Sequence, residues 1–362
     1  MAKKKVALLF GGRSSEHSIS CATAAGVMGA IDREKYELIP VGITQAGQFI
    51  LASDDHEFWK LPAGNEELPI VRDNGESIEF TFDGSHELIL VKGGQRTSLG
   101  KIDVVFPVLH GQFGEDGTVQ GLLELFGAAY VGNGVLASAA GMDKEFTKAL
   151  FLQAGVPATP HVVIQARDML NDPESVLEKV RALGGTPVFV KPARAGSSVG
   201  VSKVNDWSNF GTAVAEALKH DTKCVVEHGL VGREVEVAVL SGRNSGEPRV
   251  SIAGEIIVTG REFYDFEAKY RDDKAVELVI PAQLSADELA EMQSIARRAF
   301  KSLGCTGLAR VDFFLTKDGF FVNEINTMPG FTPISMFPSL WQASGIKYAD
   351  LIDELIELAL GA

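Results

Sequence analysis

The sequence predicts an α/β protein made of more than one packed unit, on three observations. Short apolar runs that read as strands alternate with segments of helical periodicity. Residues 102–109 are continuously apolar, as strands buried on both faces of a parallel sheet are. The chain has 362 residues, long for a single hydrophobic core, so two or three units are expected.

Taken in order, residues 6–10 read as the first strand. Lys3-Lys4-Lys5 before them resembles the charged start of a signal peptide, but the apolar run meets Gly11-Gly12 too soon and carries no cleavage pattern. A Gly-rich loop and a small-residue helix over about 19–31 follow, then a strand at 36–43. Residues 45–100 are polar and turn-rich, with short strand-like runs at 78–82 and 88–91. With the strand at 102–109 they complete an open α/β domain ending near residue 132. A helix over 144–154 is stopped by Gly155-Val156-Pro157. A central unit comprises strands at 161–164, 187–191 and 224–227 and helices near 173–183 and 209–219. Strands at 235–240 and 251–257, a long helix over 286–303, a strand pair and a last helix over 348–360 follow. Residues 261–276 are charged, aromatic and weakly periodic, which predicts a long loop of the kind that serves as a lid. The expected division is 1–132, 133–228 and 229–362.

Composition removes several classes of function. A net charge of -14 argues against general nucleic-acid binding, though a basic pocket can still take an anionic substrate. No stretch approaches the ~20 apolar residues of a membrane span. Cys21, Cys224 and Cys305 are far apart and in no metal-like spacing, which predicts buried free thiols and a reducing, cytoplasmic setting.

The most informative segment is the last strand pair, 307–315 and 320–330, joined by a turn at Lys317-Asp318-Gly319. Side chains on a strand repeat with period two, so Arg310 shares a face with Asp312, and Glu324 with Asn326. A hairpin can set those faces side by side. Three oxygen ligands then lie beside a guanidinium, where a core face would be apolar. Such a set suits Mg²⁺ together with substrate phosphates, and Arg310 suits a phosphate or a developing oxyanion. The plain alternative is a salt-bridged pair of amphipathic edge strands.

Other segments carry weaker signals. Lys191 ends a strand and precedes the Gly/Ser loop Gly196-Ser197-Ser198-Val199-Gly200, which reads equally as a phosphate cradle or as an ordinary hairpin. Neither a Walker A nor a dinucleotide fingerprint is present. Glu227, at the expected end of a buried strand, can accept from an exocyclic amine or simply belong to an acidic connection. His110-Gly111-Gln112-Phe113-Gly114-Glu115-Asp116-Gly117 follows a buried strand, at the edge where open α/β sheets bind ligands. Capping of the next helix would account for Glu115 and Asp116 but not for His110. Glu16, near a helix start, either answers the helix dipole or grips an ammonium, and spacing does not decide between them.

Together these motifs resemble the ATP-grasp superfamily and, within it, the D-alanine:D-alanine ligase family. The resemblance spans the whole chain: Phe-Gly-Gly-Arg-Ser-Ser-Glu-His, His-Gly-x-x-Gly-Glu-Asp-Gly, Met142-Asp143-Lys144 and Lys-Pro-x-x-x-Gly-Ser-Ser-Val-Gly. It continues through Phe263-Tyr264 to Lys269-Tyr270, Ala-Arg-Val-Asp, and Asn-Glu-Ile-Asn-Thr-Met-Pro-Gly. It implies a three-domain ATP-grasp fold with an N-terminal open α/β domain, and a cytoplasmic homodimer.

The implied activity is ATP-dependent ligation of two D-alanines through an acyl phosphate, with two Mg²⁺ or Mn²⁺ ions and monovalent-cation dependence left open. By the resemblance, Lys144, Lys191 and Lys269 contact ATP phosphates, with Tyr264 beside the nucleotide. Glu227 and Glu234 hold adenine and ribose, and main-chain groups near His228 and Leu230 frame the base. Asp312, Glu324 and Asn326 carry the metals. Glu16 binds the first ammonium with His110 nearby, and Ser197 and Tyr270 link to Glu16. Arg310 and the Gly330 backbone stabilise the oxyanion, and Ser335 and Met336 receive the second carboxylate.

The Lys269-Tyr270 pair resembles the dipeptide-forming members rather than the depsipeptide-forming ones. Gln112-Phe113 occupy variable places of their loop, and His228 stands where a lysine is common. A D-alanine:D-lactate ligase, a biotin-carboxylase-like enzyme and a nucleotide sensor on the same fold are the rival readings. The complete set of metal and phosphate groups weighs against the sensor.

Overall fold

The computed structural model describes residues 2–62, 67–258 and 276–361. The expected lid, residues 261–276, falls almost entirely outside the described residues, and with it Tyr264, Lys269 and Tyr270.

The first sheet has the order Phe49–Leu51, Tyr36–Ile43, Lys4–Gly11, Val104–Pro107, Ala129–Tyr130. Its four later strands in that order run parallel, and only Phe49–Leu51 is antiparallel. The chain leaves Lys4–Gly11 to one side for Tyr36–Ile43 and returns on the other for Val104–Pro107. That reversal is the switch point where open sheets leave a crevice at the carboxyl ends of their strands. Glu16 and His110 are on the two loops that diverge there.

The segment 45–100 holds more order than its polarity predicts. Phe49–Leu51 joins the first sheet, and Glu76–Phe80, Glu87–Lys92 and Gln95–Lys101 form a separate antiparallel sheet. Gln95–Lys101 is polar and mostly exposed, so it lacks the apolar alternation that marks a half-buried strand.

The second large sheet is antiparallel, ordered Ser202–Val204, Val188–Pro192, Lys223–His228, His161–Gln165. The third is ordered Val276–Val279, Arg249–Val258, Arg233–Leu240, Leu308–Thr316, Gly319–Asn326, and the Ala286–Ser302 helix covers one of its faces. That helix starts on a capping box between Ser285 and Glu288. The Tyr348–Ala359 helix turns back to the first unit: Leu351, Ile352, Leu355 and Ile356 pack in one core with Val6, Leu8 and Phe10. Lys4 and Tyr36 bond the same helix through Glu357 and Asp353. All three cysteines are buried and free. Among the described residues no helix is long and apolar enough to cross a membrane.

Candidate active site

Strand register gathers the charged cluster expected from the last hairpin. Arg310 pairs with Asn326 and Asp312 with Glu324 across Leu308–Thr316 and Gly319–Asn326, so all four leave one face. Arg310 Nε and Nη2 donate to the two Asp312 oxygens at 2.7 Å each. Asn326 Nδ2 donates to Asp312 Oδ2 at 2.9 Å. Glu236, opposite Asp312 on the neighbouring strand, sets Oε2 2.8 Å from Arg310 Nε. Burial opposes the charge on Arg310, yet Asp312 and Glu236 beside it hold its pKa well above the usual value.

Asp312, Glu236 and Glu324 therefore place three carboxylates around one guanidinium, a surplus of negative charge that a divalent cation would offset. Asp312, Glu324 and Asn326 offer hard oxygen donors of the kind Mg²⁺ and Mn²⁺ take, so the residues fit such ions. Among the described residues no group of three or more His, Cys, Asp or Glu gathers as a metal centre; this set is two carboxylates and an amide.

A cavity of about 370 Å³ opens over this face. Glu16, His110, Lys144, Ser197, Arg310, Glu324, Asn326, Gly330, Ser335 and Met336 all line it. Ten residues expected from five separate stretches of sequence thus meet in one cleft.

The cationic wall adjoins it. Lys144 opens the Lys144–Gln153 helix, after Asp143 caps the Glu145 N–H. Its Nζ donates to Ala195 O at 2.8 Å, tying it to the Gly/Ser loop. Burial lowers the Lys144 pKa, an effect Glu324 opposes and Lys191 reinforces. Lys191 Nζ lies 2.6 Å from Glu227 Oε2, and Lys148 Nζ lies 2.8 Å from Glu227 Oε1. Burial would raise the Glu227 pKa, but the two ammonium groups together hold it far below the carboxylate range.

Glu227 lies next to the end of the Lys223–His228 strand, and both its oxygens face lysines, a pairing the sequence did not indicate. His228 closes that strand and donates its N–H to Pro160 O, while Leu230 follows in the connection, half-buried. Glu234, on Arg233–Leu240, is close enough for its charge to favour Lys191 as a cation.

On the opposite wall Glu16 is buried at the start of the His17–Ala30 helix and accepts from Ser197 Oγ at 2.6 Å. Gly111 approaches so closely that a Cβ there would lie 2.6 Å from Glu16 Oε2, and its φ of +72° is one that glycine adopts freely. His110 is buried, with Nδ1 3.2 Å from Met328 O and Nε2 3.1 Å from Thr23 Oγ1. A carbonyl can only accept, so Nδ1 carries the proton and Nε2 accepts from Thr23. Burial lowers the His110 pKa and favours this neutral form.

Capping explains only part of the 110–117 loop. Asp116 accepts from Thr118 N and Phe113 N, at the start of Thr118–Phe126. Glu115 caps nothing: it accepts from Gly111 N at 2.6 Å and from Met328 N at 3.2 Å. Burial, with the charge of Glu16 nearby, pushes its pKa up to about 8.

The Met328–Ser335 segment is fixed at its main chain. His110 and Glu115 hold both polar groups of Met328. Asn133 Nδ2 donates to Thr327 O at 2.7 Å, and Tyr348 OH donates to Phe331 O at 2.7 Å. Ser335 precedes the Met336–Ala343 helix, but its Oγ turns back to Thr332, leaving the helix N-terminus facing the cavity mouth without a side-chain cap. Sequence reading missed Glu236, Lys148 and the bridging role of Glu115. Glu236 and Glu234 were detectable as alternate acids on an otherwise apolar strand, and Lys148 as a lysine one helical turn after Lys144.

Family models described as D-ala D-ala ligase N-terminus and C-terminus match residues 5–133 and 150–357. A protein named D-alanine–D-alanine ligase from Arthrobacter sp. (strain FB24) is 53% identical over 99% of this chain and 94% of its own length. A D-alanine–D-alanine ligase from Kineococcus radiotolerans is 50% identical, covering 99% and 97%. Among solved structures, the VanG D-Ala:D-Ser ligase from Enterococcus faecalis superposes with a TM-score of 0.83 at 33% identity, covering 99% of this chain and all (100%) of that one. The D-alanine-D-alanine ligase from Coxiella burnetii gives 0.83 at 34% identity, covering 99% and 94%.

Proposed function

Because the chain belongs to the D-alanine–D-alanine ligase family, with its mixed α/β ATP-grasp architecture, we propose that it joins two D-alanines into D-alanyl-D-alanine for peptidoglycan precursors. ATP supplies the driving force and leaves as ADP and phosphate. The observation that supports this reading is one cleft lined by the buried acid Glu16, Lys144, Arg310, the oxygen donors Glu324 and Asn326, and the uncapped helix start at Ser335.

In this reading Glu16 accepts from the first substrate's ammonium, with Ser197 holding its second edge and Tyr270 joining them. The first carboxylate attacks the ATP γ-phosphorus and becomes an acyl phosphate. Lys144 and Lys191, with Lys269 and Tyr264 from the lid, orient the triphosphate; Glu227, Glu234, His228 and Leu230 surround adenine and ribose. Asp312, Glu324 and Asn326 would hold two Mg²⁺ or Mn²⁺ ions, which offset charge on the transferring phosphoryl group. The second amine then attacks the acyl carbon, and Arg310 and the Gly330 N–H receive the developing oxyanion. Ser335 and Met336, at an uncapped helix N-terminus, take the second carboxylate. Neutral His110 positions the loop and does not add a second cation beside the first ammonium.

The three-part division at about residues 132 and 228, a homodimer and a cytoplasmic setting complete the proposal. Phosphate release from Mg·ATP is measured with D-alanine alone, or with D-serine or D-lactate as second acceptor, and products are weighed by mass spectrometry. Dipeptide from D-alanine alone is the expected result. Preference for D-serine or D-lactate would move the assignment to another acceptor, and no turnover would overturn it.

A further inference from the structure

We propose that Lys148 is a positioning residue for ATP: it keeps Glu227 paired so that Lys191 is free to move from that carboxylate to the polyphosphate. The inference rests on the reading above, in which ATP occupies the cleft beside Lys144 and Lys191.

The geometry gives the three residues unequal freedom. Lys148 and Glu227 side chains are 1% and 3% exposed, and Lys191 is 15% exposed. Lys148 lies one helical turn beyond Lys144, on the same face of Lys144–Gln153. Apart from Glu227 it reaches Asn323 O only at 3.5 Å. Lys191 and Glu227 are diagonal neighbours on adjacent strands, since Glu227 pairs with Phe189 and Lys191 with Val225. Lys191 also sits 3.4 Å from Asn323 Oδ1, toward the hairpin that carries Glu324.

One carboxylate thus shares two lysines, of which one is enclosed and one borders the site. A buried carboxylate stripped of every partner is strongly unfavourable. If Lys191 were its sole partner, Glu227 would compete with the triphosphate for that ammonium. With Lys148 fixed on Oε1, Glu227 stays neutralised when Lys191 turns to phosphate.

The test measures ATP affinity by calorimetry and KM for each substrate in four proteins. K148M is expected to bind ATP roughly tenfold more weakly, the scale of one charge-assisted hydrogen bond. Its KM for D-alanine and its kcat at saturating ATP stay near wild type, a split that general loss of structure would not give. K148R keeps wild-type affinity. K148Q, which can still donate to Glu227 Oε1 but carries no charge, falls between K148M and K148R, and it reports on the proposal if K148M fails to fold. Unchanged ATP affinity in both K148M and K148Q, or a K148R protein that folds and still binds about tenfold more weakly, overturns the proposal. Absence of ATP binding by the wild-type protein would overturn the site reading itself, a different outcome from either.

Discussion

Two loops face each other across the cleft and are held to different degrees from outside. The 327–335 loop is fixed from outside: His110, Glu115, Asn133 and Tyr348, from separate parts of the chain, each bond its main chain. The 194–201 loop is anchored from outside at its first residue, where Arg194 bonds Asp221 and Thr222, and beyond it rests on its own turns, such as Val199 N to Gly196 O, with Ser197 and Ser198 both at positive φ. Its links across the cleft are Ser197 to Glu16 and the Ala195 carbonyl to Lys144. A loop that receives an oxyanion gains from fixed donors that need no reorganisation. A loop that closes on a triphosphate gains from bonds the ligand can replace. Two successive non-glycine residues in the left-handed region, at a cost of about 1–2 kcal/mol each, mark that second loop as the strained one.

Substitutions on each side test this contrast. The largest effect is expected below the fixed loop, where R310A removes the proposed oxyanion partner and leaves Asp312 and Glu236 facing each other. We expect kcat to fall about 10²–10³-fold in the phosphate-release assay, while ATP binding by calorimetry persists. N133A removes the three bonds that join Thr327 O, Leu308 O and Thr306 N. About 2–4 kcal/mol of stability should be lost in urea unfolding, with kcat falling as the loop loosens. A stable N133A enzyme of normal kcat would show that the loop does not depend on outside bonds.

On the strained side, S197A should raise KM for the first D-alanine by roughly fivefold to tenfold and cost little stability, because only one bond to Glu16 is lost. The smallest test is of pH. The Glu115 pKa is raised from 4.5 to about 8 in the folded protein, so the folded state holds a proton that the unfolded chain has released. Its contribution to stability therefore declines as pH rises from about 4.5 to about 8 and stays low above that. E115Q should flatten this part of the Tm-versus-pH curve. An unchanged slope would assign the decline to another group.

Much of the first sheet and of the hairpin was legible because strand periodicity and buried parallel runs leave a direct trace. Period two alone put Arg310 with Asp312 and Glu324 with Asn326, and the register of the hairpin put both pairs on one face. Gln95–Lys101 was not legible, because a polar strand on a small sheet has no apolar alternation to betray it. Glu227 fell within a residue of its expected strand end, but its two lysines come from other elements and left no trace beside it in the sequence. Lys148 and Glu115 act through partners 79 and 213 residues away, judged from the pairs Lys148 with Glu227 and Glu115 with Met328. Only the assembled fold brings such residues together.

The Tyr348–Ala359 helix carries one more consequence, for synthesis. Lys4 meets Glu357 at a separation of 353 residues, and the core around Val6, Leu8 and Phe10 includes Leu351 and Leu355. As the chain leaves the ribosome, the His17–Ala30 helix covers part of that core early, through Cys21, Ala24 and Val27. The rest of its cover waits for nearly all the remaining polypeptide. The N-terminal unit thus completes its core only after the last helix is made, and until then its unfilled side offers apolar surface to chaperones.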